Sequence, residues 1–301
     1  MIAENLLTHP IFGADAPADS NRWVFHYTSL HSAGLIASSR SLLLQPLSRM
    51  NDPREHWPAE PVVFRAGAGH GLSEIQVRDS IELLMKQRLD LRITAFTADA
   101  ADDRPGTGAR AAGRGYARPS LWAHYGGGHK GCCLVLDREG VARQLVGQYG
   151  GNGRHGSVRY VDGSNPADWS GYLDLDAIAA SGASVAVDNH VRANLNALAF
   201  TKNLDWAPER EWRCCVVGQL PTTTTQINLV DGLVVGLVVG LDVAESDLGD
   251  VERVATTFRV ETNTARSYVH QMNLIDVLPL DTTRGHWRYL NRAELRGLGY
   301  L

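Results

Sequence analysis

Residues 22–44, RWVFHYTSLHSAGLIASSRSLLL, carry the signals that decide the fold class. The segment 22–28 is rich in aromatic and β-branched residues, which predicts a β-strand. Ser29 then provides a candidate N-cap for a helix that extends to about residue 39 and has an apolar stripe. A second strand is predicted over 41–44. Strand, helix and strand in this order indicate a chain that mixes both kinds of element.

The rest of the chain continues this mixture without a regular alternation. Further helices are predicted over 73–89, 139–148, 245–254 and within 168–200. Further strands are predicted over 91–97, 131–136, 158–161, 211–217, 233–241, 257–261 and 269–280. Because the helices interleave irregularly, we expect an α+β fold with a mixed, largely antiparallel β-sheet core flanked by helices.

The domain organisation follows from the same pattern. We expect an N-terminal lead-in at 1–21, a single α+β domain at 22–280 and a C-terminal tail at 281–301. A flexible insertion is predicted at 98–118, because this segment is rich in Ala, Gly, Asp and Arg and has almost no large apolar side chain.

Composition narrows the class of protein. The chain has 301 residues, of which 44% are hydrophobic and 21% charged, with a net charge of −4. These values are typical of globular proteins and do not favour a constitutive nucleic-acid coating protein, which usually has a basic excess. No apolar run approaches the ~20 residues of a membrane helix, and the start lacks the features of a signal peptide. We therefore expect a cytoplasmic protein with no membrane partner.

The four cysteines form two adjacent pairs, Cys132–Cys133 and Cys214–Cys215, each followed by strand-like residues. Neighbouring side chains on a strand point to opposite faces, so one pair cannot easily bind one metal ion. We interpret the cysteines as small buried hydrophobes and predict no metal site.

Polar and aromatic residues are concentrated in four segments near predicted strand ends. The candidate binding residues in the first two segments are His26, Tyr27, Thr28, Arg49, Asn51 and Asp52. An imidazole beside hydroxyl groups can bind a ribose, and a structural histidine is the alternative. The Asn–Asp–Pro sequence in 49–55 predicts a turn, and its charged neighbours suggest a binding loop.

The third segment, LWAHYGGGHKG at 121–131, contributes Trp122, His124 and Tyr125. Its glycines allow backbone to approach a ligand closely.

The fourth segment, KNLDWAPEREWR at 202–213, contains the Glu-x-Glu pair Glu209 and Glu211. At strand spacing the two carboxylates lie on the same side, and a surface ion-pair edge with Arg210 and Arg213 is the alternative. The chain has only three lysines, Lys86, Lys130 and Lys202, and two of them fall in these segments.

The order of the segments and the residues in them resemble a bacterial family catalogued as domain of unknown function 2971. The family pattern has an H-Y-T/S strand, an F-N-D-P-x-E loop, a W-A-H-Y block followed by H-x-G, and a block ending in E-x-E-W-R. This sequence has HYT at 26–28, MNDPRE at 50–55, WAHY at 122–125 and EREWR at 209–213. The resemblance covers roughly residues 22–241. It departs at Met50, where the family has Phe, at 95–97, where AFT replaces the family's C-F-S strand end, and in the insertion 98–118.

The same segments are similar, more weakly, to the ADP-ribosyltransferase superfamily, which implies an ADP-ribosyltransferase-like fold and NAD as substrate. The resemblance implies that Glu211 is the catalytic carboxylate, Glu209 orients the acceptor nucleophile and Tyr125 stacks on nicotinamide. It implies that His26 and Thr28 bind NAD. We expect Arg49 to be the positive partner of the NAD phosphates, and the candidate NAD-binding set is completed by Tyr27, Asn51, Asp52, Trp122 and His124.

The function expected from this resemblance is an NAD-dependent ADP-ribosyltransferase that acts on a protein or nucleic acid. Such an enzyme could be a toxin or phage-defence effector with an antitoxin partner. The alternative is a non-catalytic nucleotide- or peptide-binding module. A third option, a hydrolase using His124 and Asp52, lacks a nucleophile segment such as G-x-S-x-G.

Overall fold

The computed structural model describes residues 22–56, 61–64, 71–99, 114–162, 170–218, 225–240, 242–260, 265–271 and 274–279. The expectations for 1–21 and 281–301, and for 100–113 of the predicted insertion, lie outside the described residues. Helices and strands are mixed, and the strands pair mostly antiparallel, which confirms the α+β class.

The strands, in chain order, are β1 (Trp23–Thr28), β2 (Ser41–Leu43), β3 (Gln45–Pro46), β4 (Val62–Phe64), β5 (Arg92–Ala98), β6 (Cys132–Asp137), β7 (Gly153–Ser157), β8 (Arg159–Val161), β9 (Tyr172–Asp174), β10 (Thr201–Asn203), β11 (Glu211–Val216), β12 (Gln226–Asn228), β13 (Val234–Val239), β14 (Ala265–Gln271) and β15 (Leu274–Pro279). The α-helices are α1 (Leu30–Ser39), α2 (Pro53–His56), α3 (Glu74–Leu89), α4 (Pro119–His124), α5 (Arg138–Tyr149), α6 (Leu175–Ser181), α7 (Ala183–Ala193), α8 (Leu195–Ala199) and α9 (Leu248–Thr257). Short 3₁₀ turns occur at Leu47–Arg49, Gly150–Asn152, Leu204–Glu209 and Glu245–Asp247.

Contacts between residues divide the chain into two compact units. Unit 1 comprises Met1–Leu42, Phe96–Gln144 and Asn228–Leu301, and unit 2 comprises Leu43–Ala95 and Leu145–Ile227. No helix among the described residues is both long enough and apolar enough to cross a membrane.

Unit 1 is built on a sheet with β6 between β1 and β13. Both neighbours run antiparallel to β6, while β14 continues the sheet parallel to β13 and β15 returns antiparallel to β14. The aromatic residues Phe25, Tyr27 and Trp122 form its core with Cys133 and Val238.

The interpretation of the cysteines as buried hydrophobes is confirmed, since all four are free and buried. Burial raises the pKa of the Cys132 thiol to about 12.

The helix after β1 begins as the sequence predicts. Ser29 is the N-cap of α1, and its hydroxyl accepts a hydrogen bond from the Ser32 amide at 3.1 Å. The strand expected over 257–261 is wrong, because α9 continues to Thr257 and its chain turns at Phe258. Burial of Leu248, Val251, Val254 and Ala255 at helical spacing accounts for the helix.

Unit 2 combines short paired strands with a layer of helices. Strand β11 pairs antiparallel with β7, and β10 pairs parallel with β8. Helix α3 starts at a capping box formed by Ser73 and Gln76 and packs against α7. Leu84, Ile93 and Val187 belong to the apolar core of this unit. The turn Leu204–Glu209 packs against β8 and β10 and leads into β11.

Candidate functional site

Unit 2 contains a buried network of five charged side chains. Strand β10 supplies Lys202, the turn before β11 supplies Glu209, β11 supplies Glu211 and Arg213, and α2 supplies Glu55. Each of these side chains is at most 10% exposed. The alternative interpretation, in which Glu209 and Glu211 form ion pairs at the protein surface, is therefore wrong, because these ion pairs lie inside unit 2.

Lys202 joins the two carboxylates of the Glu-x-Glu motif. Its Nζ lies 2.7 Å from Oε2 of Glu209 and 3.0 Å from Oε1 of Glu211. The same ammonium lies 4.5 Å from the ring centre of Trp206, a cation–π distance. Burial would lower the pKa of Lys202, but the charges of Glu211 and Glu209 raise it above its ordinary value. Lys202 is therefore a permanent cation at physiological pH.

The turn that precedes β11 explains how both carboxylates reach one lysine. Asn203 caps the turn by accepting a hydrogen bond from the Asp205 amide at 3.0 Å. Arg210 ends it in the left-handed conformation, with φ of 48°. Glu209 therefore lies outside the strand, so its approach to Glu211 depends on this reversal and not on the strand spacing that the sequence suggested.

Arg213 links the network to the loop at 49–55. Its Nε donates to Oε2 of Glu211 at 2.5 Å, and its Nη1 donates to Oε1 of Glu55 and to the Ala199 carbonyl.

The charges of the network shift the pKa values of its members. Burial would lower the pKa of Arg213, but the carboxylates of Glu211 and Glu55 raise it. Burial alone would raise the pKa of Glu211, yet Arg213 and Lys202 lower it, so Glu211 is ionised. Glu55 differs, since burial raises its pKa more than Arg213 lowers it.

Two further side chains adjoin this network. Tyr160 accepts a hydrogen bond from the Glu211 amide at 2.7 Å, and burial raises the pKa of its hydroxyl. The side chain of Asp52 accepts a hydrogen bond from the backbone N–H of Asn203 at 3.4 Å, and Asp52 is 1% exposed. Two predicted segments, 49–55 and 202–213, are thus brought together in unit 2. Arg49 and Asn51 in the same loop are exposed.

The other predicted residues belong to unit 1. Tyr27 is buried, its hydroxyl donates to the Gly115 carbonyl at 2.6 Å, and its ring meets Trp122 edge-on at 4.9 Å. Trp122 has no exposed surface, and its indole N–H donates to the Tyr116 carbonyl at 2.8 Å. The structure therefore places Tyr27 and Trp122 in the core of unit 1, whereas we expected both to bind NAD.

The remaining candidates in unit 1 differ in how accessible they are. His26 is partly buried and its ring lies 5.6 Å from that of Phe96, while Thr28 is buried. His124 is exposed and Tyr125 partly buried, with 6.3 Å between their ring centres. The NAD-binding roles of these four residues remain predictions.

The glycines at 126–131 have a structural explanation. Gly127, Gly128 and His129 all have positive φ, at 62°, 64° and 70°. A Cβ on Gly131 would lie 2.2 Å from the Thr28 carbonyl oxygen. The turn therefore needs glycine so that two backbone segments can approach each other closely.

The end of the predicted flexible insertion is packed in unit 1. Asp99 and Arg114 form a buried ion pair at 3.1 Å, and the Gly115 amide donates to Asp99 at 2.7 Å. Tyr116 is 4% exposed.

The sequence did not identify Tyr160 or the role of Glu55 and Lys202 in the network. The scarcity of lysine was the one signal that pointed to Lys202. Nothing in the sequence pairs Glu55 with Arg213, because the two are 158 positions apart.

Comparison with known protein families gives a match to part of the chain. The sequence model of the family described as "Protein of unknown function (DUF2971)" matches residues 121–214. No curated protein and no solved structure gives a significant match. The matched span contains Lys202, Glu209, Glu211 and Arg213 and supports the resemblance to that family.

Proposed function

We propose that this protein transfers ADP-ribose from NAD to a macromolecular acceptor, with Glu211 stabilising the ribosyl cation. The observation that carries the proposal is a carboxylate held ionised and immobile by Lys202 and Arg213. An ionised carboxylate has about four lone-pair sites on its two oxygens. Glu211 thus keeps acceptor capacity for a ribose hydroxyl beside its two cations.

The chemistry needs such a group. The bond between the ribose C1′ and the nicotinamide nitrogen breaks, and its electron pair leaves with nicotinamide, which becomes neutral. The ribose then carries positive charge until the acceptor nucleophile bonds to C1′ and loses its proton. A preorganised negative charge stabilises that cation more than it stabilises the substrate.

The remaining assignments extend the proposal. Glu209 orients the acceptor nucleophile, because it is fixed on the same ammonium as Glu211. His26 and Thr28 bind NAD and Tyr125 stacks on nicotinamide, as the resemblance implies. Arg49 binds the phosphates of NAD, because they need a positively charged partner. Activity as a toxin or phage-defence effector, with an antitoxin partner, follows if the acceptor is essential to the host.

A second candidate is a non-catalytic nucleotide- or peptide-binding module. It is favoured by one feature of the site, which is that both oxygens of Glu211 already bind cations and its side chain is 10% exposed. The two candidates differ in whether NAD is consumed.

The test is incubation of the full chain with NAD, measuring nicotinamide release and transfer of labelled ADP-ribose. Glu211→Gln should lower nicotinamide release by about 10²–10³-fold, the typical cost of one preorganised electrostatic partner. NAD affinity should change far less, because the charge acts mainly in the transition state. Glu209→Gln should spare release into water and lower transfer to the acceptor.

Glu139→Gln is the matched control, since Glu139 is 82% exposed and should leave both rates unchanged. If the wild type binds NAD but releases no nicotinamide with any acceptor, the binding module replaces the enzyme. If Glu211→Gln is as active as the wild type, Glu211 is not the catalytic carboxylate. Hydrogen exchange of β11 amides checks that each variant keeps its fold.

A further inference from the structure

The guanidinium of Arg213 donates to acceptors from three parts of unit 2. Its Nε donates to Oε2 of Glu211 on its own strand β11, and its Nη1 donates to Oε1 of Glu55 on α2 and to the carbonyl of Ala199 at the end of α8. A guanidinium is planar and its N–H groups form a rigid fork. Acceptors on both Nε and Nη1 therefore fix its orientation, and the two acceptors on Nη1 lie outside β11.

Glu55 is itself fixed by the loop that carries it. Its backbone N–H donates to the carbonyl of Asp52 at 2.9 Å, and α2 packs against the turn Leu47–Arg49 and against β10. The Glu55 side chain is 4% exposed. The loop at 49–55 thus presents one carboxyl oxygen to Arg213 from a defined place.

The bonding of Glu55 is not what stability alone would favour. Its Oε2 is buried and has no hydrogen-bond partner among the described residues, so this oxygen has lost its bonds to water without replacement. Burial also raises the pKa of Glu55, which shows that a negative charge is poorly accommodated there. The favourable interaction of this carboxyl group is the bond from Arg213 to Oε1, which indicates that Glu55 serves to hold that guanidinium.

The position of Arg213 matters because two cations share the carboxylate of Glu211. Oε2 accepts from Arg213 at 2.5 Å, and Oε1 accepts from Lys202 at 3.0 Å. An arginine often binds a carboxylate with two nitrogens, one on each oxygen. In the absence of Glu55 that arrangement would be available to Arg213, and Lys202 would lose its oxygen of Glu211.

We propose that Glu55 is a positioning residue, which holds the Arg213 guanidinium so that Arg213 and Lys202 each bind one oxygen of Glu211. This role requires an acceptor oxygen at a fixed distance and does not require a negative charge. It deepens the function proposed above, because the orientation of Glu211 decides where its remaining lone pairs meet a ribose. Only this consequence for turnover rests on the proposed function.

Two substitutions separate the position of the Glu55 oxygen from its charge. Glu55→Gln keeps the length of the side chain and an acceptor oxygen but removes the charge, whereas Glu55→Asp keeps the charge and is one methylene shorter. We expect Glu55→Gln to preserve the contact between Arg213 and Glu211 and Glu55→Asp to disrupt it. A role in charge balance predicts the reverse result.

The contact is measured by nitrogen NMR of the full chain labelled at the arginine side-chain nitrogens, without NAD. The Arg213 Nε–H signal is the one absent from Arg213→Lys, and in the wild type it should exchange slowly with water because it donates to a buried carboxylate. Glu55→Gln should keep this slow exchange, and Glu55→Asp should lose it. Glu139→Gln is the control, since Glu139 is 82% exposed and should leave the signal unchanged.

Each of the two variants can refute the proposal by itself, provided that hydrogen exchange of the β11 amides shows a retained fold. An Arg213 Nε–H that stays protected in Glu55→Asp, or that loses protection in Glu55→Gln, overturns the role of Glu55. Neither result depends on whether the chain consumes NAD.

NAD turnover gives a second measurement. If the proposed function holds, Glu55→Asp should lower kcat for nicotinamide release by about 10²-fold, the typical cost of a misplacement of about 1 Å, with little change in KM for NAD. Glu55→Gln should retain far more of the rate than Glu55→Asp. A wild-type rate in Glu55→Asp overturns the positioning role, whereas the expected NMR pattern in a chain that releases no nicotinamide supports that role and refutes only the proposed function.

Discussion

Lys202→Met tests the buried network most directly. Methionine has an apolar side chain of similar length to that of lysine. The substitution therefore removes the ammonium that binds Glu209 at 2.7 Å and Glu211 at 3.0 Å. Removing one partner of a buried ion pair typically costs about 3–5 kcal/mol, because the other charge stays buried. Loss of the cation–π contact with Trp206 adds to this cost, and protonation of a remaining carboxylate offsets part of it. We expect unit 2 to lose about 3–4 kcal/mol of its free energy of unfolding.

The measurement is denaturant unfolding combined with hydrogen exchange of the β11 amides, which reports on unit 2. Lys86→Met is the matched control, because Lys86 is exposed on α3 and surface substitutions usually stay within about 0.5 kcal/mol. Lys202→Arg is expected to restore only part of the stability, since a planar guanidinium cannot occupy the position of a compact ammonium. A loss of less than about 1 kcal/mol in Lys202→Met would refute the idea that the lysine holds the two carboxylates.

Three further predictions follow from the structure. Gly115→Ala should destabilise unit 1 by about 1–3 kcal/mol, because the new Cβ would lie 2.2 Å from the Phe25 ring, and thermal unfolding measures this. Gly147→Ala is its control, since a Cβ added at this position of α5 would meet no other side chain or element within 4 Å. Alanine favours a helix, so stability should rise by about 0.5–1 kcal/mol. The raised pKa of Lys202 means that its stabilisation is complete below the ordinary value of 10.5 and is lost as pH rises through the folded-state pKa. Unfolding midpoints should therefore fall more steeply above pH 10.5 in the wild type than in Lys202→Met, and parallel curves would contradict this.

The sequence alone determined the local elements with fair accuracy. Ser29 and Ser73 were followed by helices, because a hydroxyl N-cap and an apolar repeat act within a few residues of each other. The strand predicted over 211–217 was found as β11, because its aromatic and apolar residues are local signals as well. The α+β class follows from such elements and needs no long-range information.

The tertiary structure decided what each chemically interesting side chain does. The sequence predicted Tyr27 and Trp122 as ligand-binding residues, but both are buried in the core of unit 1. Glu211 had two candidate partners in its own segment, Arg210 and Arg213, but it pairs with Arg213 and with Lys202 from β10. The contact between Arg213 and Glu55 exists only after the chain folds, because it joins residues 158 positions apart. Sequence patterns report on neighbours along the chain, whereas the partner of a buried charge is set by packing between distant elements.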